Sequence, residues 1–482
     1  MTTTTRLREL LEQGLSLLQQ GRSADAFAVL AEALKLAPAA FDALNLAGVA
    51  ATRMGQGREA VSLLERATAQ RRDHPGAHNN LGIALRAAGE IERAAEAYRR
   101  AIAIEPRYAA ARTNLGTLLL DQRRYEQAVE ALDQSLAYRP NHLETLTLKA
   151  AALRHLLMYE AALEAIDAAL AIAPDSVDLN MTRAGLLVGL DRHQEALAAY
   201  RRAGELAPEH PAIPGLLVST QLRLCDWSDL ASQRARLLDA ARSGQAPVSP
   251  FSSLLLFDDP EVQLALARTW QQRHAPDTRL APVPAPGDKL RIGYFSADLR
   301  GHPMVHLIRE MLATHDRDRF EITAFAFPAG GTDEHTEQVR QAVDRYVDIS
   351  AISDSDAATL ARELSIDIAI DLMGHTRGAR PGLFARRVAP IQVNYLGHPG
   401  TTGAEWTDYI IADRMIIPEQ STRYFAEQVV WMPGCYITRD TQIEVQAPGL
   451  ATRRSQDCRL MPSSIAASIN PRRSCLSSSP TG

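Results

Sequence analysis

The chain has 482 residues and only four cysteines, Cys225, Cys435, Cys458 and Cys475. They are scattered, with no paired metal-ligand spacing, which excludes a disulfide scaffold and a cysteine-built zinc module. No apolar run approaches the length needed to span a bilayer. The opening stretch, MTTTTRLREL, has none of the apolar character of a signal peptide. These absences predict a cytoplasmic protein with no membrane partner. Charge of one sign is also missing. Lys and Arg number 52 against 57 Asp and Glu, a net charge of -5, so nothing global favours nucleic acid. The basic pairs Arg71–Arg72 and Arg386–Arg387 read as solvated faces. What remains is the composition of an ordinary soluble protein, 46% hydrophobic and 23% charged, too long for one compact domain.

The chain does have a period. Gly14, Gly48, Gly82 and Gly116 stand 34 residues apart, and Ala150 and Ala184 continue the series. Ala26, Ala60, Ala94, Ala128, Ala162 and Ala196 repeat with the same spacing. So do Ala33, Ala67, Ala101, Ser135, Ala169 and Ala203. Pro38, Pro106, Pro140, Pro174 and Pro208 close five of the six units, and Arg72 breaks that series. A 34-residue period with small residues at fixed places is the signature of the tetratricopeptide repeat, a helix–turn–helix unit. Small side chains let two helices cross closely. Proline ends the second helix of each unit. Six units over residues 7–210 predict an α-solenoid with a concave face suited to an extended peptide or a partner helix.

Residues 211–289 read as a helical connector. Residues 215–245 keep helical spacing, 261–274 form one further helix, and the proline-rich LAPVPAPGDK (280–289) marks a boundary. From Leu290 the pattern changes to short apolar strands alternating with helices. The strands fall at 290–299, 320–327, 345–350, 366–374, 391–397 and 409–413, and the helices at 303–315, 332–343 and 355–364. That alternation predicts a mostly parallel sheet covered on both faces, a Rossmann-like α/β lobe over 290–436. Ligands in such sheets sit beyond the carboxyl ends of the strands. Three segments there carry Gly-His pairs: Gly301–His302, Gly374–His375 and Gly397–His398. Loop capping explains any one of these histidines, and no close His or Cys partner supports zinc. Three together favour the rim of a site for a polar ligand. Its glycine amides would approach phosphate or sugar oxygens, and Asp298 and His302 would offer proton-transfer groups.

At this point the text of the chain resembles a known family. Repeats followed by LRIGYFSADLRGHPMVHL, then IDLMGHTRGARPGLFARRVAPIQVNYLGHPGTTGAEWTDYIIAD (367–413) and VVWMPGCY (429–436), are similar to the O-linked N-acetylglucosamine transferases, glycosyltransferase family 41, which include the plant SPINDLY proteins. The resemblance covers roughly residues 7–436. It implies a two-lobed transferase that moves a sugar from UDP-N-acetylglucosamine, or GDP-fucose in SPINDLY proteins, to Ser or Thr of other proteins. No metal or cofactor is implied beyond that donor. Carried over, the resemblance places Asp298, His302 and His306 in the catalytic segment. It places Pro303, Leu396, Gly397, Pro399 and Gly400 near the donor sugar, with His398 at a variable position. Asn80 and Asn114 match groove asparagines that hold acceptor peptide, whereas Leu46, Leu148 and Thr182 depart from that pattern.

The resemblance fades near Tyr436. Residues 437–482 hold eight Ser after Gln446 and no strand–helix alternation. They read as an aberrant or disordered tail, the end of a frame-shifted or truncated reading frame standing where the family's second lobe would be. The expectation is therefore a protein O-glycosyltransferase by family whose activity in this chain is weak or absent. The alternative is a non-catalytic repeat scaffold that binds protein partners.

Overall fold

The computed structural model describes residues 3–274, 288–328 and 331–438. Most of the proline-rich stretch and residues 439–482 of the tail, with Cys458 and Cys475, lie outside the described residues.

The repeats form twelve helices in six antiparallel pairs. They are α1 (Thr3–Gln19) with α2 (Ser23–Leu36), α3 (Phe41–Arg53) with α4 (Gly57–Gln70), and α5 (Pro75–Ala87) with α6 (Ile91–Ile104). Then come α7 (Ala109–Asp121) with α8 (Tyr125–Leu136), α9 (Leu143–His155) with α10 (Tyr159–Ile172), and α11 (Val177–Gly189) with α12 (His193–Leu206). The small-residue series has a direct packing cause. A Cβ on Gly14, Gly48, Gly82 or Gly116 would strike Leu30, Leu64, Tyr98 or Leu132, each sixteen residues later on the paired helix. Those large residues are fully buried. Each unit therefore sets a large side chain over a missing one, and the fit repeats with the period.

Four connector helices follow: α13 (Ile213–Arg223), α14 (Leu230–Arg242), α15 (Pro250–Leu256) and α16 (Pro260–His274). The continuous helix expected over 215–245 is broken in two, because Cys225 and Asp229 both adopt left-handed backbone. The seven-residue α15, capped by the Ser249 hydroxyl, was too short to show as a period.

The lobe contains β1 (Leu290–Ser296), α17 (Pro303–Ala313), β2 (Phe320–Ala326), α18 (Glu334–Ala342), β3 (Arg345–Asp348), α19 (Asp354–Glu363), β4 (Ile368–Asp371), α20 (Pro381–Phe384), β5 (Ile391–Asn394), β6 (Tyr409–Ala412) and β7 (Gln428–Trp431). The strands make one parallel sheet in the order β3-β2-β1-β4-β5-β6-β7. Alternate side chains of β1 divide the core. Phe295 stacks on Phe325 at 4.3 Å on the face that holds Leu383 and Phe384. Ile292 and Tyr294 point to the face covered by Val305, Ile308 and Leu312 of α17. Strand β7 was not expected. It is an edge strand, half-exposed along its length, and its short apolar run Val429–Met432 shows no alternation to mark it. The pair Arg386–Arg387 is not a solvated face. Arg387 binds the carbonyls of Trp406 and Pro390 and pairs with Asp408 at 2.9 Å.

Candidate active site

The strand order reverses direction between β1 and β4, so their carboxyl ends flank the switch point where open α/β sheets bind ligands. The loop after β1 carries Asp298 and His302. The Asp298 carboxylate lies 3.8 Å from His302 Nδ1. Burial raises the Asp298 pKa above the ordinary carboxylate range, against the pull of His302 and then Arg300. His302 caps α17, and the Met304 amide donates to its Nδ1 at 3.2 Å. That contact assigns the ring lone pair to the amide and leaves Nε2–H as a donor facing outward. Gly301, His302, Pro303, His306, Leu307 and His335 line an open cavity of about 460 Å³. His306 meets His335 edge-on at 5.2 Å.

The loops after β4 and β5 meet each other. His375 Nε2–H donates to the Thr402 carbonyl at 2.8 Å, and the His375 and His398 rings stand edge-on at 4.9 Å. His398 is buried, 2% exposed, and burial with His375 beside it pushes its pKa down to about 3. His398 Nδ1 and Asn394 Oδ1 are buried with no hydrogen-bond partner among the described residues. Asp371, at the end of β4, accepts from the amides of Met373 at 2.9 Å and Gly374 at 3.2 Å, yet burial pushes its pKa up to about 6. Glu427 is buried and accepts from the Thr401 hydroxyl at 2.7 Å, the Thr402 amide at 2.6 Å and the Thr402 hydroxyl, fixing the loop from below. From the connector, Gln271 of α16 reaches the Thr402 carbonyl at 3.3 Å.

One expectation needs correction. The strand-end glycines do not offer free amides. Gly301 donates to Asp333 at 2.6 Å, Gly374 to Asp371, and Gly397 to the Tyr395 carbonyl at 2.8 Å. Glycine is required there for space. A Cβ on Gly397 would enter the Leu372 carbonyl, and one on Gly374 would lie 2.5 Å from the His398 Cβ. The expected site residues fall into two groups. His302 and His306 line one cavity, with Asp298 behind His302, whereas Gly397, Pro399 and Gly400 do not line it. Both groups sit on the same carboxyl edge and are joined through the β4 loop. Met373 Sδ lies 3.2 Å from the Ser296 hydroxyl after β1, and Leu396 packs into the apolar cluster of Met304 and Tyr436.

The groove asparagines are also engaged. Asn80 donates to Asn45 at 3.0 Å and Asn114 to Asn79 at 2.8 Å, so each ties one repeat to the preceding one. Among the functional candidates, the sequence reading passed over Asp371, Asn394, Glu427 and Arg377. Asp371 closes an apolar run, which was a signal in hand. Glu427 had none.

A helical-repeat solenoid joined to a Rossmann-like lobe, with its polar cluster at the switch point, defines a repeat protein that carries an α/β lobe. Comparison with known proteins shows what the two parts are similar to. Residues 261–451 match glycosyl transferase family 41, and 11–56, 46–109, 85–152 and 159–211 match tetratricopeptide repeats. The chain is thus similar to tetratricopeptide repeats in its N-terminal part and to glycosyl transferase family 41 in the part that follows. It is 31% identical over 242 residues to the probable UDP-N-acetylglucosamine–peptide N-acetylglucosaminyltransferase SEC of Arabidopsis thaliana, covering 46% of this chain and 25% of that one. The corresponding enzyme of Caenorhabditis elegans is 37% identical over 155 residues, 32% of this chain and 14% of that one. The matched part therefore spans a quarter or less of these relatives. A solved Thermobaculum terrenum O-GlcNAc transferase mutant aligns over 91% of this chain and 59% of its own, at 21% identity and a TM-score of 0.36.

Proposed function

We propose that the chain recognises polypeptides through its repeats and transfers N-acetylglucosamine from UDP-N-acetylglucosamine to their Ser or Thr hydroxyls. The hydroxyl oxygen bonds to the sugar's anomeric carbon, the bond from that carbon to the diphosphate breaks, and UDP leaves with the electron pair. Asp298 takes the hydroxyl proton. Burial raises its pKa, which makes it a stronger base than an exposed carboxylate. His302 orients the acceptor oxygen through Nε2–H, and the Leu396–Gly400 loop faces the sugar. The observation that carries this reading is the Asp298–His302 pair, whose His302 lines a cavity beside the switch point of a lobe that matches glycosyl transferase family 41. The test is transfer of radiolabelled sugar to a protein acceptor, with GDP-fucose as the competing donor. Asp298→Asn and His302→Ala are each expected to lower transfer about 10²–10⁴-fold, the usual range for a lost proton-transfer group. Transfer at wild-type rate in both variants would sink the assignment.

One observation favours a second reading, a non-catalytic scaffold. The strand-end amides of Gly301, Gly374 and Gly397 are spent inside the protein and form no phosphate cradle. A scaffold would hold its protein partners equally well in His302→Ala and would transfer no label from either donor.

A further inference from the structure

The solenoid and the lobe meet at the helical turns of the fourth and fifth repeats, and the meeting place is rich in arginine. Arg123, in the turn between α7 and α8, pairs with Asp354 at 3.3 Å. Arg380 of the lobe takes the same carboxylate at 2.7 Å and is itself buried, 5% exposed. Arg377, from the loop after β4, hydrogen-bonds the Tyr159 hydroxyl at the start of α10 and lies over its ring at 5.1 Å. Arg154, near the end of α9, is exposed and has no hydrogen-bond or ion-pair partner among the described residues. Arg123 and Arg380 thus share one carboxylate, with Arg377 and Arg154 at the next repeat turn. After burial, Arg154 and then Arg123 hold the neighbouring His155 down at about 4. Burial and then the charge of Arg154 hold the Arg377 pKa below its ordinary value.

Like charges gathered in this way are stabilised by an anion between them. We propose that this arginine-lined junction is an anion subsite for the acidic side chains, carboxylate or phosphoryl, of a polypeptide held by the repeats. The polypeptide assignment rests on place and charge. The subsite is walled by repeats on one side, and on the other by the β4 loop whose His375 touches the Thr402 loop two residues away from Arg377. The subsite deepens the reading of the chain as one that acts on proteins, by naming the acceptor's chemistry.

The experiment measures binding without any sugar nucleotide, so it is independent of transfer. Fluorescence anisotropy on the full chain compares a labelled Ser-containing peptide with flanking Glu, the same peptide with Gln, and one with phosphoserine. The Glu and phosphoserine peptides are expected to bind more tightly than the Gln peptide, and added salt should erase the difference. Arg154→Glu should weaken both on the order of fivefold, the scale of one exposed charge pair. Arg154→Gln should fall between that variant and wild type. Arg58→Glu, an exposed reversal on the second repeat, should change neither. Because Arg154 is unpaired, its substitution breaks no native contact, and unchanged melting of each variant checks this. Equal binding of the three peptides would overturn the proposal, as would equal losses in Arg154→Glu and Arg58→Glu. Tighter, Arg154-dependent binding of a single-stranded oligonucleotide would overturn the polypeptide assignment. Arg154-dependent binding of acidic peptides in a chain that transfers no sugar would uphold the subsite and refute the transferase reading.

Discussion

The candidate site depends on what burial does to a few titratable groups. Asp298 and Asp371 are raised by burial, whereas His398 is driven down to about 3 and stays neutral. For His398 this has a stability consequence with a definite sign. At high pH the ring is neutral in both the folded and the unfolded chain and adds nothing to the pH dependence. As pH falls through the ordinary histidine value near 6.5, the unfolded chain takes up a proton that the folded ring refuses until about 3. Acid therefore favours unfolding across that window, by up to about 1.4 kcal/mol per pH unit. His398→Gln should flatten the decline in melting temperature between about pH 6.5 and 4, relative to wild type. An unchanged slope would place the ring in contact with solvent. The histidine's position was legible from the Gly-His pairs, but its burial was not, because burial is imposed by Phe251 of α15 and by His375, both distant in sequence. The glycines misled for the same reason. A sequence shows that an amide has no side chain beside it, and it does not show that Asp333 or Tyr395 has already taken its hydrogen bond.

At the scale of the element, the period governs the turns as well as the packing. Gly21, Gly55 and Gly89 hold left-handed backbone between the helices of the first three units. Arg123, Leu157 and Asp191 hold the same conformation at the same spacing without being glycine. Left-handed backbone costs a residue with a Cβ roughly 1 kcal/mol relative to glycine. Opposite outcomes follow from one set of melts. Gly55→Ala should destabilise by about 1 kcal/mol, since its Cβ would meet nothing and only the backbone is strained. Asp191→Gly should be neutral to stabilising by a few tenths of a kcal/mol, because that side chain is exposed and its one contact is a 3.6 Å pair with His193. If both changes destabilise equally, strain is not what separates the two halves of the series. Arg123 tolerates the strained turn while its side chain reaches Asp354, a contact between elements that no local pattern announces. The helices themselves were legible because each repeats its neighbour's small-over-large fit. The short α15 and the edge strand β7 were not, since neither carries enough residues or apolar contrast to show a period.

Across the whole molecule, one strand-end loop joins the repeats to the β5 loop. The segment after β4 touches the repeats through Arg377 and Tyr159, and touches the β5 loop through His375. The connector braces the same β5 loop through Gln271. The account therefore places donor binding on the carboxyl edge of the sheet, close to where the solenoid docks. A competing location exists. A cavity of about 550 Å³ opens between α12, α13 and α14, with Leu197, Leu217, Val218 and Leu237 among its walls. Hydrogen exchange on the full chain, with and without UDP-N-acetylglucosamine, separates the two most directly. The account predicts slowed exchange in peptides spanning residues 296–304 and 394–402, with α1 to α6 unchanged. Protection confined to α12–α14, or no protection at the strand ends while sugar is being transferred, would contradict it.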